Sequence, residues 1–235
     1  EISMESILDH DFEKNRILPD SEMSLENIES ITIDADSGIQ LEFTDGDILH
    51  YPSKLSVKEA DGNLTISSTD FNAMDTYVIE MGTYKPRNLH IHCNGIKIRG
   101  KGNLKDFSLD CAGASINSDI LSENNLFIDC SQLDMNGSMK GKILDIDSVG
   151  ANIRGEIHSS EISLSSTGIN INLKATFDSF DISSSGLKGV IEVLNPQTQS
   201  AVLHIQATGG ALSVSSKNNA PVKIESTGFV KIDRK

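Results

Sequence analysis

A short motif returns every 18 or 19 residues through the second half of the sequence. Two apolar residues flank one other residue, a small residue follows two positions later, and in most copies a glycine lies two positions beyond that. The second apolar residues are spaced by 18, 19, 18, 18, 18, 23 and 19 positions, at Ile91, Leu109, Ile128, Ile146, Leu164, Ile182, Ile205 and Ile224. A fixed period of this length is typical of stacked, repetitive folds.

Each repeat contains two stretches in which apolar and polar residues alternate. In the copy that starts at Ile162, this alternation places the apolar side chains on one face of a strand, and we expect a bend at Gly168. Stacking such coils pairs each strand with the equivalent strands above and below. The sequence therefore predicts an all-β fold, a single-stranded parallel β-helix (β-solenoid) with about 18–19 residues per coil, and a right-handed one because parallel crossovers are almost always right-handed.

The motif divides the chain into regions. Residues 1–27 lack it and carry apolar residues at helical spacing, so we expect an N-terminal linker or cap with a short helix. Residues 28–233 are predicted to form the β-helix domain, with irregular coils over 28–86 and regular coils over 87–233. The one long step contains Asn195 and Pro196, which predict a loop.

Charge and hydropathy limit the partners. The net charge is −14, from 34 acidic and 20 basic residues, and this opposes binding to nucleic acid. The sequence has no apolar run of the roughly 18 residues that a membrane-spanning helix needs. Because it begins with Glu1 rather than Met, we expect a removed upstream segment, and contact with a membrane only through an anchor there.

The three cysteines occupy the small-residue position of three successive repeats. Cys93, Cys111 and Cys130 stand where later repeats have mostly serine. Neighbouring coils lie about 4.8 Å apart, a separation that permits a disulfide, but small buried thiols fit the position better. We predict three free, buried cysteines.

An acidic column is predicted on the outward face. Asp110, Asp129 and Asp147 occupy equivalent outward positions in successive coils, and Asp145 enlarges the patch. Stacked carboxylates favour a hard cation such as calcium, although an acidic run is also typical of a solvated surface. The same carboxylates satisfy the distance that sugar hydrolysis requires. No catalytic, cofactor-binding or established metal motif accompanies them, so we predict that the protein is not an enzyme.

The segment IEMGTYKPRNLHIHCNGIKIRG, which starts at Ile79, and the repeats that follow it resemble the bacterial putative adhesin family of β-helical domains. The resemblance covers residues 28–233 and rests on the repeat rather than on a catalytic motif. It implies a bacterial protein that is secreted or membrane-anchored, at the cell envelope or outside the cell, and it provides no functional residues.

Three functions are compatible with these features. The first is a non-enzymatic, adhesin-like module that presents extended polar faces to a surface protein or a glycan. The alternatives are a polysaccharide-processing enzyme on a β-helix scaffold and a membrane-anchored envelope sensor or scaffold. Since the end of a β-helix exposes a strand edge, we also expect caps or self-association.

Overall fold

The computed structural model describes Phe12, residues 14–68 and residues 74–235. Two compact units follow one another along the chain, unit 1 over Glu1–Asp119 and unit 2 over Ile120–Lys235. Phe12 and Lys14 have helical backbone, and the rest of the predicted N-terminal helix lies outside the described residues.

Unit 2 contains six long strands, each parallel to the next: β10 (Asn125–Lys140), β11 (Ile143–His158), β12 (Glu161–Thr176), β13 (Ser179–Val193), β14 (Ala201–Ser216) and β15 (Val222–Arg234). Equivalent motif residues pair across neighbouring coils, for example Leu144 with Ile162. The fold is a parallel β-solenoid with about 19 residues per turn, which confirms the predicted fold class.

The alternation of the repeat explains how these strands pack. In β10 to β14 both apolar residues of the motif are buried, at 0–2% exposure, and the residues between them face solvent. Each turn therefore buries its aliphatic side chains against the turns on either side, which is the main source of stability in such a fold.

The bend within β12 does not depend on the motif glycine. The ladder of β11 and β12 omits Val149 and Thr167, the residues just before Gly150 and Gly168, so the chain turns there. Gly168 has no left-handed φ, and a Cβ on it would meet no atom within 4 Å. The expected bend at Gly168 thus lies one residue earlier and requires no glycine.

The last repeat is shifted by two residues from the position that the motif predicts. Ile205 was expected to pair with Ile224, but it pairs with Ser226, and Leu203 pairs with Ile224. Beyond this shift the ladder is irregular between Ala207 and Gly210, opposite the left-handed Gly228 (φ 93°). On the outward face, Glu225 therefore lies beside His204 in place of Lys223, and Thr227 lies beside Gln206 in place of Glu225.

The long step of the repeat forms a loop that is tied to the preceding coil by a buried asparagine. Asn195 is fully buried, its Nδ2 donates to the Phe177 carbonyl oxygen at 2.6 Å, and its Oδ1 accepts from the Phe177 amide at 3.0 Å. The side chain thus replaces the pair of ladder hydrogen bonds that the loop interrupts.

Unit 1 begins with shorter strands and ends with regular coils. Its strands are β1 (Arg16–Ile17), β2 (Ser21–Ser24), β3 (Ser30–Thr44), β4 (Ile48–Tyr51), β5 (Leu55–Ala60), β6 (Asn63–Ser68), β7 (Thr76–Gly82), β8 (Asn88–Leu104) and β9 (Asp106–Ser122), the last of which extends three residues past the unit boundary. On one side β3 pairs in parallel with β8, and on the other its two halves pair with β6 and β7. Chain order and spatial order therefore differ, since β3 lies between coils that follow it in sequence.

Antiparallel strands flank β7 and β6. The short β4 is antiparallel to both β7 and β2, and β5 forms an antiparallel pair with β6. These pairings interrupt the parallel stacking at this end of unit 1. An antiparallel strand of four residues leaves little free edge. Natural sheets use such short edge strands to avoid pairing with further strands.

A buried arginine holds this region together. Arg87 is 2% exposed and donates to the carbonyl oxygens of Ile28 at 2.7 Å, Leu25 at 2.5 Å and Lys85 at 2.9 Å, and to the Asp47 carboxylate at 2.5 Å. A buried guanidinium is tolerated because its donors and its charge are satisfied.

The small-residue column forms local hydrogen bonds across the bend. Cys93, Cys111 and Cys130 are free and buried, as predicted. In the serine repeats, Ser166 Oγ donates to the Gly168 carbonyl oxygen at 3.0 Å and Ser184 Oγ to the Gly186 carbonyl oxygen at 2.8 Å. The position therefore selects a small side chain that fits inside the bend, and in β12 and β13 its hydroxyl group also donates a hydrogen bond.

Candidate functional site

The first halves of the unit 2 strands form a solvent-exposed surface, here called the polar face. Its members lie in two columns that follow the ladder register. The first column is Phe127, Asp145, Ser163, Asp181, His204 and Glu225, and the second is Asp129, Asp147, Ser165, Ser183, Gln206 and Thr227. All of them are exposed, because alternation directs their neighbours inward.

The acidic residues singled out in the sequence lie in different places. Asp129 and Asp147 are direct register partners on the polar face, and Asp145 lies in the other column between Phe127 and Ser163. Asp110 belongs to unit 1, where its Oδ2 lies 3.3 Å from His92 Nδ1. Of these four residues, only Asp129 and Asp147 are therefore register partners within one unit.

This pair provides few ligands for a cation. Among residues 12, 14–68 and 74–235, no group of three or more His, Cys, Asp or Glu side chains is arranged to hold a metal ion. Calcium prefers six to eight oxygen ligands. Calcium binding stays a prediction, tested by the melting temperature in millimolar calcium, which binding to the folded state alone would raise.

The two carboxylates of the pair are both exposed to solvent. Asp129 and Asp147 are both exposed, and each faces solvent from the equivalent position of its coil. Glycoside hydrolysis requires one protonated and one ionised carboxyl group, which enzymes achieve by giving the two groups different environments. Exposure therefore does not distinguish the two carboxylates of the pair.

A charged cluster lies at the β13–β15 end of the polar face. His204 Nδ1 lies 3.3 Å from Asp181 Oδ1, and His204 Nε2 lies 3.4 Å from Glu225 Oε2. Lys223 Nζ is 2.5 Å from Glu225 Oε1. This hydrogen bond to Lys223, together with the charges of Lys223 and His204, lowers the pKa of Glu225.

The sequence motif did not predict this cluster. Its alignment places Lys223 beside His204, and the two-residue shift of β15 brings Glu225 there instead. The shift would have been visible only as the poorer fit of the last copy, in which Lys231 occupies the apolar position that Ile171 holds in the copy from Ile162.

Two shallow, open concavities follow the polar face. One lies over β12 to β15 and includes Ser163, Ser183, His204 and Glu225. The other lies over β11 to β14 along the bend and is lined mainly by hydroxyl groups and an amide, from Ser165, Thr167, Ser183, Ser185, Gln206 and Thr208, with Asp147 at its edge. Such open surfaces suit an extended ligand better than an enclosed small molecule.

Three lysine side chains of unit 1 contact other residues of the same unit. Lys97 is buried, with its Nζ 5.5 Å from the centre of the Phe12 ring. Lys105 Nζ lies 3.1 Å from Glu29 Oε2, and Lys85 Nζ lies 2.5 Å from Glu29 Oε1. Lys85, Lys97 and Lys105 therefore interact with other residues of unit 1, whereas Arg99 and Lys101 are exposed. Within the described part of the chain, no helix is long and apolar enough to cross a membrane.

Fold and surface together define a parallel β-solenoid with a polar, exposed face. The sequence matches no protein-family model and no curated protein. Solved structures with similar folds include a putative adhesin from Bacteroides fragilis, with 15% identity, TM-score 0.41 and coverage of 94% of this chain and 99% of that one. A putative adhesin from Parabacteroides distasonis has 13% identity, TM-score 0.44 and coverage of 93% and 100%. Both proteins are described as putative adhesins, which is also the name of the family that the repeat resembles.

A third structure, from Parabacteroides distasonis, is described as a putative lipid binding protein. It has 13% identity, TM-score 0.36 and coverage of 93% of this chain and 99% of that one.

Proposed function

We propose that this protein is a non-enzymatic binding module of the cell surface or cell envelope that presents the polar face to a neutral glycan. One observation carries the proposal: two continuous columns of exposed hydroxyl, carboxylate and amide side chains extend across β10 to β15. Repeated polar groups on a rigid scaffold can bind repeated units of a polymer, since each turn adds an equivalent set of contacts.

The chemistry of the face favours neutral sugars over anionic ligands. The two columns contain five carboxylates and no lysine or arginine, with His204 as the sole titratable base. Sugar hydroxyl groups can donate to the carboxylates and both donate to and accept from the serine hydroxyls. An anionic polymer would instead be repelled, as would nucleic acid.

A protein partner and an enzymatic function have weaker support. Apart from Phe127, which is 42% exposed, the columns lack the aromatic residues and arginines that anchor protein interfaces. Catalysis would require two carboxylates in different environments, and both Asp129 and Asp147 are exposed to solvent. The cell-envelope location is part of the proposal and follows the implication of the sequence resemblance.

Variants of the hydroxyl columns test the proposal. The double variant Ser165→Arg/Ser183→Arg places bulk and charge in both concavities, and it should weaken binding on an array of neutral glycans at least about tenfold. The matched control is Asn170→Arg/Asn172→Arg, which changes two exposed residues in the second half of β12, away from the polar face.

Equal binding by both double variants would contradict the proposal, and so would the absence of binding to any neutral glycan by the unchanged protein. Assays for release of reducing sugar test the enzymatic alternative. They compare the unchanged protein with a variant that has alanine at Asp110, Asp129 and Asp147. Release by the unchanged protein that the alanine variant lacks would establish catalysis in place of simple binding.

A further inference from the structure

The final strand of unit 2 has an exposed edge. Among the described residues, β15 pairs with β14 alone. Its inward aliphatic residues Val222, Ile224, Val230 and Ile232 are only half-buried, and Phe229 is 86% exposed. The register partners of three of them on β14, Ala201, Leu203 and Leu212, are buried. A long strand with free backbone groups and partly exposed apolar residues is a template for pairing with another strand.

The sequence of β15 is complementary to itself when read in opposite directions from Gly228. Three residues to either side are Glu225 and Lys231, and five residues to either side are Lys223 and Asp233. Between these opposite charges, four residues from the glycine, Ile224 corresponds to Ile232. Opposite charges and matching aliphatic residues therefore lie at equal distances from one central residue.

We infer that two copies of this chain pair through their β15 edges, antiparallel, across a twofold axis at Gly228. In an antiparallel pair, directly opposite residues lie on the same face of the sheet. Ile224 of one copy then lies opposite Ile232 of the other on the inward face. Lys223 faces Asp233 and Glu225 faces Lys231 on the outward face, and the symmetry makes each pair twice.

The strand's bend is compatible with this symmetry. The ladder of β15 is interrupted just after Gly228, which divides the strand into one arm that approaches the bend and one that leaves it. A twofold rotation about an axis through the bend exchanges the two arms and reverses the chain direction. Each arm of one copy therefore lies against the other arm of its partner.

Other registers are less favourable. A shift of one residue places outward charged residues opposite inward aliphatic ones, because side chains alternate along a strand. A shift of two residues in one direction places Lys223 opposite Lys231, and in the other direction it places Glu225 opposite Asp233. Like charges directly opposite each other destabilise a strand pair. The register centred on Gly228 is therefore preferred.

Head-to-tail stacking is less favourable than this closed pair. It would require a long free parallel edge at the start of unit 1, where β4 and β2 run antiparallel to their neighbours and contain four residues each. A head-to-tail contact would also repeat without closing and give growing oligomers, whereas a twofold contact stops at the dimer.

Sedimentation of the 235-residue protein over a range of concentrations tests the pairing. We expect a monomer–dimer equilibrium that weakens with added salt, since exposed ion pairs are screened. Asp233→Lys should weaken dimerisation at least about tenfold, because it places two lysines opposite each other. The swap Lys223→Asp/Asp233→Lys should restore the dimer, and Glu161→Lys, which changes the same charge on β12 away from the edge, should leave it unchanged.

Cysteine crosslinking tests the register. The variant Lys223→Cys/Asp233→Cys places two thiols opposite each other across the interface, so oxidation should give a covalent dimer. Neither single variant should crosslink, since residue 223 of one copy is distant from residue 223 of the other. The native thiols are buried. A monomer at every concentration, growing oligomers, or efficient crosslinking of a single variant would overturn the proposal, and circular dichroism of each variant identifies loss of folding.

Discussion

Arg87 shows how one residue can fix the start of a regular coil. It precedes β8 by one residue and connects Leu25, Ile28 and Lys85 through their carbonyl oxygens to the carboxylate of Asp47. These groups come from three separate segments of unit 1. Removing the guanidinium would take a hydrogen-bond donor from three carbonyl oxygens and one carboxylate, and the Leu25 oxygen would keep the Ile28 amide. Such losses are costly in a medium of low polarity.

We therefore expect Arg87→Met to lower the free energy of unfolding by roughly 3–5 kcal/mol, the usual cost of breaking a buried ion pair. Urea unfolding followed by circular dichroism measures this change. Arg99→Met is the matched control, because Arg99 is exposed and its replacement should alter stability by less than about 0.5 kcal/mol. A loss below about 1 kcal/mol for Arg87→Met would contradict the assigned role.

Glu29 contributes a pH-dependent stabilisation to the same region. Hydrogen bonds from Lys85 and Lys105, together with their positive charges, lower the pKa of Glu29 from 4.5 to about 2. Because the folded protein holds the carboxylate in its ionised form, the stabilisation is complete above the unfolded value of 4.5 and disappears as the pH falls through about 2.

The difference in melting temperature between the unchanged protein and Glu29→Gln should therefore be constant above pH 5, shrink between about pH 4.5 and pH 2, and vanish below that range. Thermal melts at stepped pH values measure it. Replacing Lys85 and Lys105 by methionine in the Glu29→Gln background should add no further pH dependence over this range. A constant difference down to pH 2 would show that the lysines do not hold the carboxylate.

Single residues also mark the limit of prediction from sequence. The apolar anchors were predictable, since burial of one face imposes strict alternation. The burial of Arg87 was not, because in sequence it is one of several basic residues in a polar segment, and its partners lie at 25, 28 and 47. Only tertiary structure brings such acceptors together.

In β12 and β13, the glycine that close packing requires is not the motif glycine. Gly189 in β13 has a left-handed φ of 145°, and a Cβ on it would lie 1.8 Å from the carbonyl oxygen of Ile171. Gly168 in β12 belongs to the motif, yet a Cβ there would meet nothing within 4 Å. Close approach between neighbouring coils, more than the bend, therefore requires glycine.

Gly189→Ala should consequently destabilise the protein by about 1–3 kcal/mol, because the new methyl group clashes with the backbone of β12 and the φ is strained. Gly168→Ala should leave the stability unchanged or raise it slightly, since alanine reduces the freedom of the unfolded chain. Urea unfolding of the two variants provides a direct comparison. An equal loss of stability in the two variants would show that the motif glycine is also needed.

At the level of strands, the period of the repeat predicted the parallel stacking but not its interruptions. The order of β3, β6 and β7 depends on an excursion of the chain that returns to the other side of β3, and alternation alone cannot show on which side a strand pairs. The shift of β15 has a similar origin, since Val222 and Ile224 in the first half of the strand lie on the inward face in both registers. The polar face was predictable for β10 to β14, whereas the cluster around His204 depended on the shift.

For the whole molecule, the fold implies that stability is distributed turn by turn. In a solenoid each turn contacts only its neighbours, so the free energy is close to a sum of turn and interface contributions. The turns of unit 2 are not equal: the anchors of β11 to β13 are buried on both sides, and those of β15 are half-buried. Local opening should therefore begin at β15.

Hydrogen exchange should reveal this gradient. We expect the amides of β15 to exchange fastest among the six strands of unit 2 and those of β11 to β13 slowest, because opening an inner turn exposes two buried interfaces and opening β15 exposes one. Mass spectrometry of peptides from these strands measures the rates. Protection of β15, and of no inner strand, should rise with protein concentration where the copies pair through this edge. Equal rates in β12 and β15 at low concentration would contradict the turn-by-turn distribution of stability, since both strands would then open as one cooperative unit.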